Sequence, residues 1–374
     1  MPGPEMSPPR APGRNVVPQM LSRAPAPAPP SLRAVAARVD ERIAHLFDVE
    51  IARWQRVDAA VVEPLESLRR LVDAGGKRLR PAFCHWAFVG AGGDADDPRV
   101  VDAGAAFELL HAFALVHDDV MDGSDTHRGT PTAHLAHADA HRAGSWRGEP
   151  RRFGEGVAIL IGDLSHVYAD MLLGDVPADA AAVWQELRLE LNVGQYLDLV
   201  GTARRDRDRG AARRIARYKS GKYTIERPLH VGAALAGRLA DLQEPLSAYG
   251  DPLGEAFQLR DDVLGAFGDP AVTGKPVGQD LREGKPTPLL AVASERATDG
   301  RRGPLDRVGD PALSDGDVAT IQRVLVDTGA LAEVEQLIDR LTAQAIEAID
   351  AAEITPAARD ELVDLARFVA SRDS

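Results

Sequence analysis

Three carboxylates at Asp118, Asp119 and Asp122, and two more at Asp261 and Asp262, are the residues of this chain best suited to chemistry. On a helix Asp118 and Asp122 stand one turn apart on one face, with Asp119 beside them and His111 two turns below on nearly the same face. Two like charges about 4 Å apart repel by roughly 4 kcal/mol at an effective dielectric near 20. Such a cluster calls for cations. An all-oxygen ligand set points to magnesium, which is usually held by one or two carboxylates and completes its shell with water and substrate phosphates.

Basic residues supply the matching half. The run Gly75-Gly76-Lys77-Arg78-Leu79-Arg80-Pro81 puts three cations at a glycine hinge just before a helix. The free amides and positive dipole end of that helix would join Lys77 and Arg80 in gripping a diphosphate. Residues 123–131 break the first acidic helix and supply Arg128. Residues 218–223 carry Lys219, Ser220 and Lys222 at a predicted kink, and a glycine-rich stretch holding Lys275, Asp280 and Lys285 has the composition to wrap a phosphate. Each feature alone is commonplace in a chain with 57 acidic residues. Two acidic clusters and four basic sites together are not.

The elements that position these groups read as helices throughout. Phe107, Leu110, Phe113, Ala114 and Leu115 recur at helical spacing and carry the pattern into the first aspartates. Ser31 is placed to cap a first helix through Ile43, Phe47, Ile51 and Trp54, and Pro64 to start a second that stops at Gly75. Residues 156–173 and 180–200 are helical in period, the latter bearing Gln195 and Asp198, and residues 253–267 form the helix of the second acidic pair. Polar loops are expected at 140–153 and 298–315. Three amphipathic helices follow, the last capped by Thr355 with Pro356 in its first position. With no alternating strand pattern, the prediction is an all-α single large helical bundle over residues 31–374. Residues 1–30 hold ten of the 26 prolines and no apolar signal core, and read as a disordered tail.

Composition narrows the function. A net charge of −13 argues against nucleic acid, and no 20-residue apolar run suggests a membrane span. The one cysteine, Cys84, sits among Phe83, His85 and Trp86 and reads as a packed core thiol. His127, His134, His137 and His141 read as loop histidines without cysteine partners rather than a zinc site.

In combination the motifs resemble those of trans-isoprenyl diphosphate synthases of the polyprenyl synthetase family, over about residues 31–374, most like the bacterial geranylgeranyl type. The resemblance implies a cytoplasmic homodimer that condenses isopentenyl diphosphate with an allylic diphosphate. It implies three magnesium ions held by Asp118, Asp119 and Asp122 and by Asp261 and Asp262. Lys77, Arg80, His111 and Arg128 match the grip on isopentenyl diphosphate. Lys219, Lys275 and Lys285 match the lysines around the allylic substrate, Asp280 lies near the metals, and Ser220 and Gln258 stand near the developing cation. His127 stands where the family usually has arginine, and Gly265 where many members have a third aspartate. Phe113, five residues before Asp118 and about 7.5 Å deeper on a helix, with the small Ala114 beside it, resembles the pattern that ends elongation at twenty carbons.

Three readings compete. A farnesyl diphosphate synthase would differ only in product length, and a terpene cyclase on the same fold would not need Lys77, Arg80 and His111. A metal-dependent phosphohydrolase using His117 and Asp118 leaves residues 75–81 and the Asp261 helix without a role.

Overall fold

Apolar residues at helical spacing fold nearly all of the described chain into helices. The computed structural model describes residues 27–127, 129–268 and 277–372. Residues 1–26, Arg128 and Lys275 lie outside the described residues.

Helix α4 (Pro98–Asp122) is the axis of the arrangement. Phe107, Leu110 and Val116 are buried, but so are Ala105, Ala106 and Leu109 on other sides, and a helix without a polar face belongs in the centre. Helices α1 (Pro30–Gln55), α2 (Val62–Asp73), α3 (Leu79–Gly90) and α6 (Pro150–Leu173) pack around it, with α5 (Ala133–Ala143) against α6. Opposite stand α7 (Ala178–Arg204), α8 (Arg209–Ile215), a π-helical segment (Ala216–Glu226), α9 (Arg227–Leu235) and α10 (Leu239–Phe267). A third layer holds α11 (Gln279–Glu283), α12 (Pro288–Arg296), α13 (Asp299–Asp306), α14 (Asp315–Asp327), α15 (Ala330–Asp350) and α16 (Pro356–Ser371). Among the described residues the only strands are β1 (Thr126–His127) and β2 (Thr130–Pro131), a two-rung antiparallel hairpin. The fold is all-α, as the sequence pattern predicts.

Several local expectations are corrected. Ser31 does not cap α1: the helix begins at Pro30, and the Ser31 hydroxyl donates instead to Glu361, 2.5 Å away. The Thr355 hydroxyl donates to the Val89 carbonyl, tying α16 to α3 rather than closing its own first turn. The loop expected at 140–153 is present but confined to residues 144–149, because α5 runs to Ala143 and Glu149 accepts from the amides of Arg151 and Arg152 and starts α6 at Pro150. The stretch 298–315 contains α13. Helix α10 starts fourteen residues before Leu253 and runs through Pro245 and Pro252. His134, His137 and His141 are buried along one side of α5, and burial keeps the first two below the usual histidine range. Cys84 is fully buried, and burial raises its thiol well above the usual range.

Two helices, Pro98–Asp122 and Pro150–Leu173, are long and apolar enough to cross a membrane by length and composition, which the sequence reading did not anticipate. The first is the core helix. The second leaves Leu160, Val167 and Met171 exposed, and Leu189, Val193 and Tyr196 are exposed on α7, to which α6 is tied by the Asp170–Arg188 pair.

Candidate active site

Asp118, Asp119 and Asp122 end α4, where the helix dipole is negative and carboxylates are disfavoured by about 0.3–1 kcal/mol each. Gly123, in the left-handed region at φ 66°, stops the helix directly after them. The local fold thus concentrates negative charge and leaves its neutralisation to other elements.

Lysines from two of those elements do so. Lys219 Nζ lies 3.0 Å from Asp118 and 2.6 Å from Asp198. Gln195 donates to Asp118 across 2.6 Å. Lys285 Nζ lies 3.4 Å from Asp122 and 3.0 Å from Glu283. Burial works against the charge on Asp118, but Lys219 and Lys285 hold its carboxyl below the usual range. Asp122, pushed up by burial and then by Asp118, titrates at about 6. Asp119 sits one residue round the helix, and its charge acts on His134 at the start of α5.

The π-helical segment delivers Lys219 because glycines let it in. A Cβ on Gly194 of α7 would fall on the Lys219 backbone. On its other side, Gly221 and Gly254 of α10 meet backbone to backbone, a Cβ on either lying about 2.8–3.0 Å from the other. The sequence pattern predicted a kink here; the wider i→i+5 turn replaces it, with the Arg227 amide bonded to the Lys222 carbonyl.

The second pair lies on α10, joined to this cluster through Lys219 and Lys285, which line its cleft and pair with Asp118 and Asp122. A cleft of about 270 Å³ is lined by Asp198, Lys219, Ser220, Gln258, Asp261, Asp262, Gly265, Asp280, Lys285 and neighbouring apolar groups. Gln258 donates to Asp262 Oδ1 at 2.8 Å, as its one-turn spacing predicts. Asp262 is 4% exposed, and its Oδ2 has no hydrogen-bond partner among the described residues. Burial, then Asp280 and Asp261, raises its pKa well above the carboxylate range. Asp261 is held by Arg372 at 2.5 Å, and that guanidinium also covers the Phe257 ring. Arg372 is a contact the sequence reading missed, lying 111 residues away on no motif.

A third group forms at the α3 start. Arg78, left-handed at φ 50°, turns inward to Glu108 and Asp40 and is structural. Arg80 donates to the Tyr223 hydroxyl and to Thr224 Oγ1, while Tyr223 lies 2.9 Å from His111 Nδ1. Arg80 and His111 therefore share Tyr223, also missed from sequence. Lys77 sits 5.9 Å over the Phe368 ring of α16. Phe113 is half-buried with its ring against His117 and stacked on His166, both 4.8 Å away, while Ala114 packs beside it at the core edge.

The donors fit a hard divalent cation. All are carboxylate oxygens, and the buried unpartnered Asp262 oxygen is costly without a positive partner. Among the described residues no three donors already surround one point, so the ion would complete its shell with substrate oxygens. His117 is turned toward α6, with its Nε2 bonded to the Ile159 carbonyl and its ring against Phe113.

A pH dependence follows. Since the folded Asp122 pKa is raised, its protonated form stabilises the fold fully below the unfolded value, and this is lost as pH rises through about 6. A cation replaces that proton above the transition. Millimolar Mg2+ is therefore expected to raise the melting temperature more at about pH 7.5 than at about pH 5. A rise equal at both, or larger in acid, contradicts the assignment of Asp122.

Known proteins match this architecture. Residues 63–324 match the profile of the polyprenyl synthetase family. A geranylfarnesyl diphosphate synthase of Aeropyrum pernix is 35% identical over 70% of this chain and 79% of its own length. A geranylgeranyl diphosphate synthase of Methanosarcina mazei is 31% identical over 86% of this chain and 96% of its own. The crystal structure of a geranylgeranyl pyrophosphate synthase from Corynebacterium glutamicum, complexed with isoprenyl diphosphate and magnesium, superposes with a TM-score of 0.86 at 38% identity, covering 91% of this chain and 99% of that one.

Proposed function

The chain belongs to the polyprenyl synthetase family, and from that premise we propose that it extends allylic diphosphates (dimethylallyl, geranyl, farnesyl) with isopentenyl diphosphate to geranylgeranyl diphosphate. It is a trans-prenyltransferase, and the observation that carries the reading is the cleft of Asp261, Asp262 and Asp280, whose lining lysines Lys219 and Lys285 also pair with Asp118 and Asp122 of the first acidic cluster. The allylic carbon–oxygen bond breaks, the double bond of isopentenyl diphosphate forms the new carbon–carbon bond, a proton is lost, and inorganic diphosphate leaves. Bound magnesium, three ions by family resemblance, supplies positive charge to the departing oxygens. Asp118, Asp119, Asp122, Asp261 and Asp262 would hold it. Lys219 and Lys285 add charge to the same oxygens, and Ser220 and Gln258 face the cation that develops. Lys77, Arg80 and His111 would grip isopentenyl diphosphate, with Tyr223 positioning the last two. Arg128 and Lys275 keep their sequence-based roles here as part of the proposal. No protein nucleophile is required.

The catalytic domain would span residues 31–374 and work in the cytoplasm as a homodimer. The exposed apolar residues of α6 and α7 support the dimer, since several large apolar side chains exposed on two helices are the kind of surface a partner covers. The mass of the particle in solution tests it.

Product length rests on Phe113. Its ring closes the α4–α6 side between His117 and His166, with Arg188 and Asp170 behind His166. A growing tail would meet a stacked ring backed by charge. Wild type given geranyl or farnesyl diphosphate is expected to stop at twenty carbons, and Phe113→Ser to yield longer products at similar turnover. If the variant makes the same product as wild type, or a shorter one, the floor lies elsewhere and the farnesyl reading regains ground.

A further inference from the structure

Lys222 and Glu226, at the end of the π-helical segment, are buried together with Glu190 of α7 and His230 of α9. Lys222 Nζ lies 2.7 Å from Glu226 Oε2 and 3.4 Å from Glu190 Oε1. Arg227 donates to both oxygens of Glu190, from Nε and Nη2, each across 2.7 Å, and its Nη1 lies 3.3 Å from His230 Nδ1. Ser247 of α10 closes the circuit: its hydroxyl donates to Glu226 Oε1 at 3.0 Å and lies 3.1 Å from His230 Nε2. Because a guanidinium can only donate, His230 Nδ1 accepts and its proton sits on Nε2, so every bond of the ring has one direction. Burial pushes His230 down to about 4 and leaves it neutral. Burial also works against the charge on Glu226, but Lys222 holds its carboxyl below the usual range. Two cations thus face two carboxylates.

A buried ring of this kind is a costly way to hold helices together, since apolar side chains of the same volume often pack as firmly. What directional bonds supply is one register. An eleven-residue π-helix needs that, because π turns mostly occur singly inside α-helices. The ring also sits on the two walls that receive the segment. Glu190 is one helical turn before Gly194, where α7 meets the Lys219 backbone. Ser247 is one turn before Gly250, where an added Cβ would lie 2.8 Å from Glu226 Cα. Slipping the segment into an α-helical register would open the ring and turn Lys219 away from Asp118 and Asp198, which it meets at 3.0 and 2.6 Å.

We propose that this buried ring is a register lock, which holds residues 216–226 in the π turn against α7 and α10 and so aims Lys219 into the cleft. Glu190 and its partners touch no substrate and are positioning residues that act through Lys219. The inference deepens the reading of the cleft as the reacting site and rests on it.

The test compares Glu190→Gln, Lys219→Ala and the double variant, each in the full chain. Glu190→Gln should lower turnover about 10- to 100-fold, as a misplacement of about 1 Å does at a reacting group. Added to Lys219→Ala, it should cost less than about 3-fold more, because the group it positions is already gone. Backbone hydrogen exchange, read by mass spectrometry without substrate, should rise in Glu190→Gln over residues 216–226 and stay as in wild type over α4. Ser247→Ala, which opens the ring without stranding a charge, should show the same pattern at about 2- to 10-fold in rate and serves if Glu190→Gln does not fold. The proposal is overturned if exchange over 216–226 is unchanged, if it rises equally over α4, or if the losses from the ring variant and Lys219→Ala multiply. Wild type that fails to extend isopentenyl diphosphate would sink the functional reading, while the exchange pattern still decides the lock.

Discussion

Asp118→Asn is expected to lower turnover about 100- to 1,000-fold while leaving the stability of the metal-free fold within about 1 kcal/mol of wild type. The substitution keeps the size of the side chain and removes its charge. Turnover falls because that charge helps hold the cations that draw off the leaving group. Stability does not fall in step, because the lost attraction to Lys219 and Lys285, which holds the Asp118 pKa down, is offset by relief of Asp122, whose pKa Asp118 raises, and of the unfavourable end of α4. Lys219 keeps Asp198 at 2.6 Å, so it is not stranded. Side chains that only hold a fold together lose stability when removed; these carboxylates repel one another and are retained for what they bind. Melting curves without metal, set beside steady-state rates, separate the cases. A variant that loses stability as sharply as activity would mark Asp118 as a structural ion-pair partner.

Gly194→Ala tests the other wall. Its methyl group would fall on the Lys219 backbone, so either α7 or the π-helical segment must move by about 1 Å. A shift of that size in a catalytic group costs about 100-fold in rate, and the overpacking about 1–3 kcal/mol of stability. Gly303→Ala, at an exposed helical glycine with nothing within 4 Å, is the control and should be neutral or slightly stabilising. Near-normal rate and stability in Gly194→Ala would mean that the close approach does not position Lys219.

How far the sequence revealed this site depends on whether partners share a local period. The aspartates, Gln258 and His111 were legible because helix geometry relates them over one or two turns. The all-α fold was legible for the same reason, through the apolar spacing around Phe107 and Leu110. Arg372 on Asp261 and Tyr223 between Arg80 and His111 were not, since both join elements more than 100 residues apart and neither residue type announces its partner. Gln195 and Asp198 could be read equally as pointing into the cavity or as satisfying backbone groups near one another, and only the approach of α7 to the π-helical segment joins them to Asp118 and Lys219. Gly194, Gly221 and Gly254 lie far apart in the sequence, in segments read only as helix or kink. Their joint meaning is a three-body approach that no single window contains.

The most direct measurement is product formation from isopentenyl diphosphate, isotopically labelled, and geranyl diphosphate, with Mg2+ present and after thorough chelation. The account predicts label in a longer allylic diphosphate, release of one inorganic diphosphate for each unit added, and no extension once the metal is removed. Release of inorganic phosphate without a new carbon–carbon bond, or extension that persists after chelation, would contradict it.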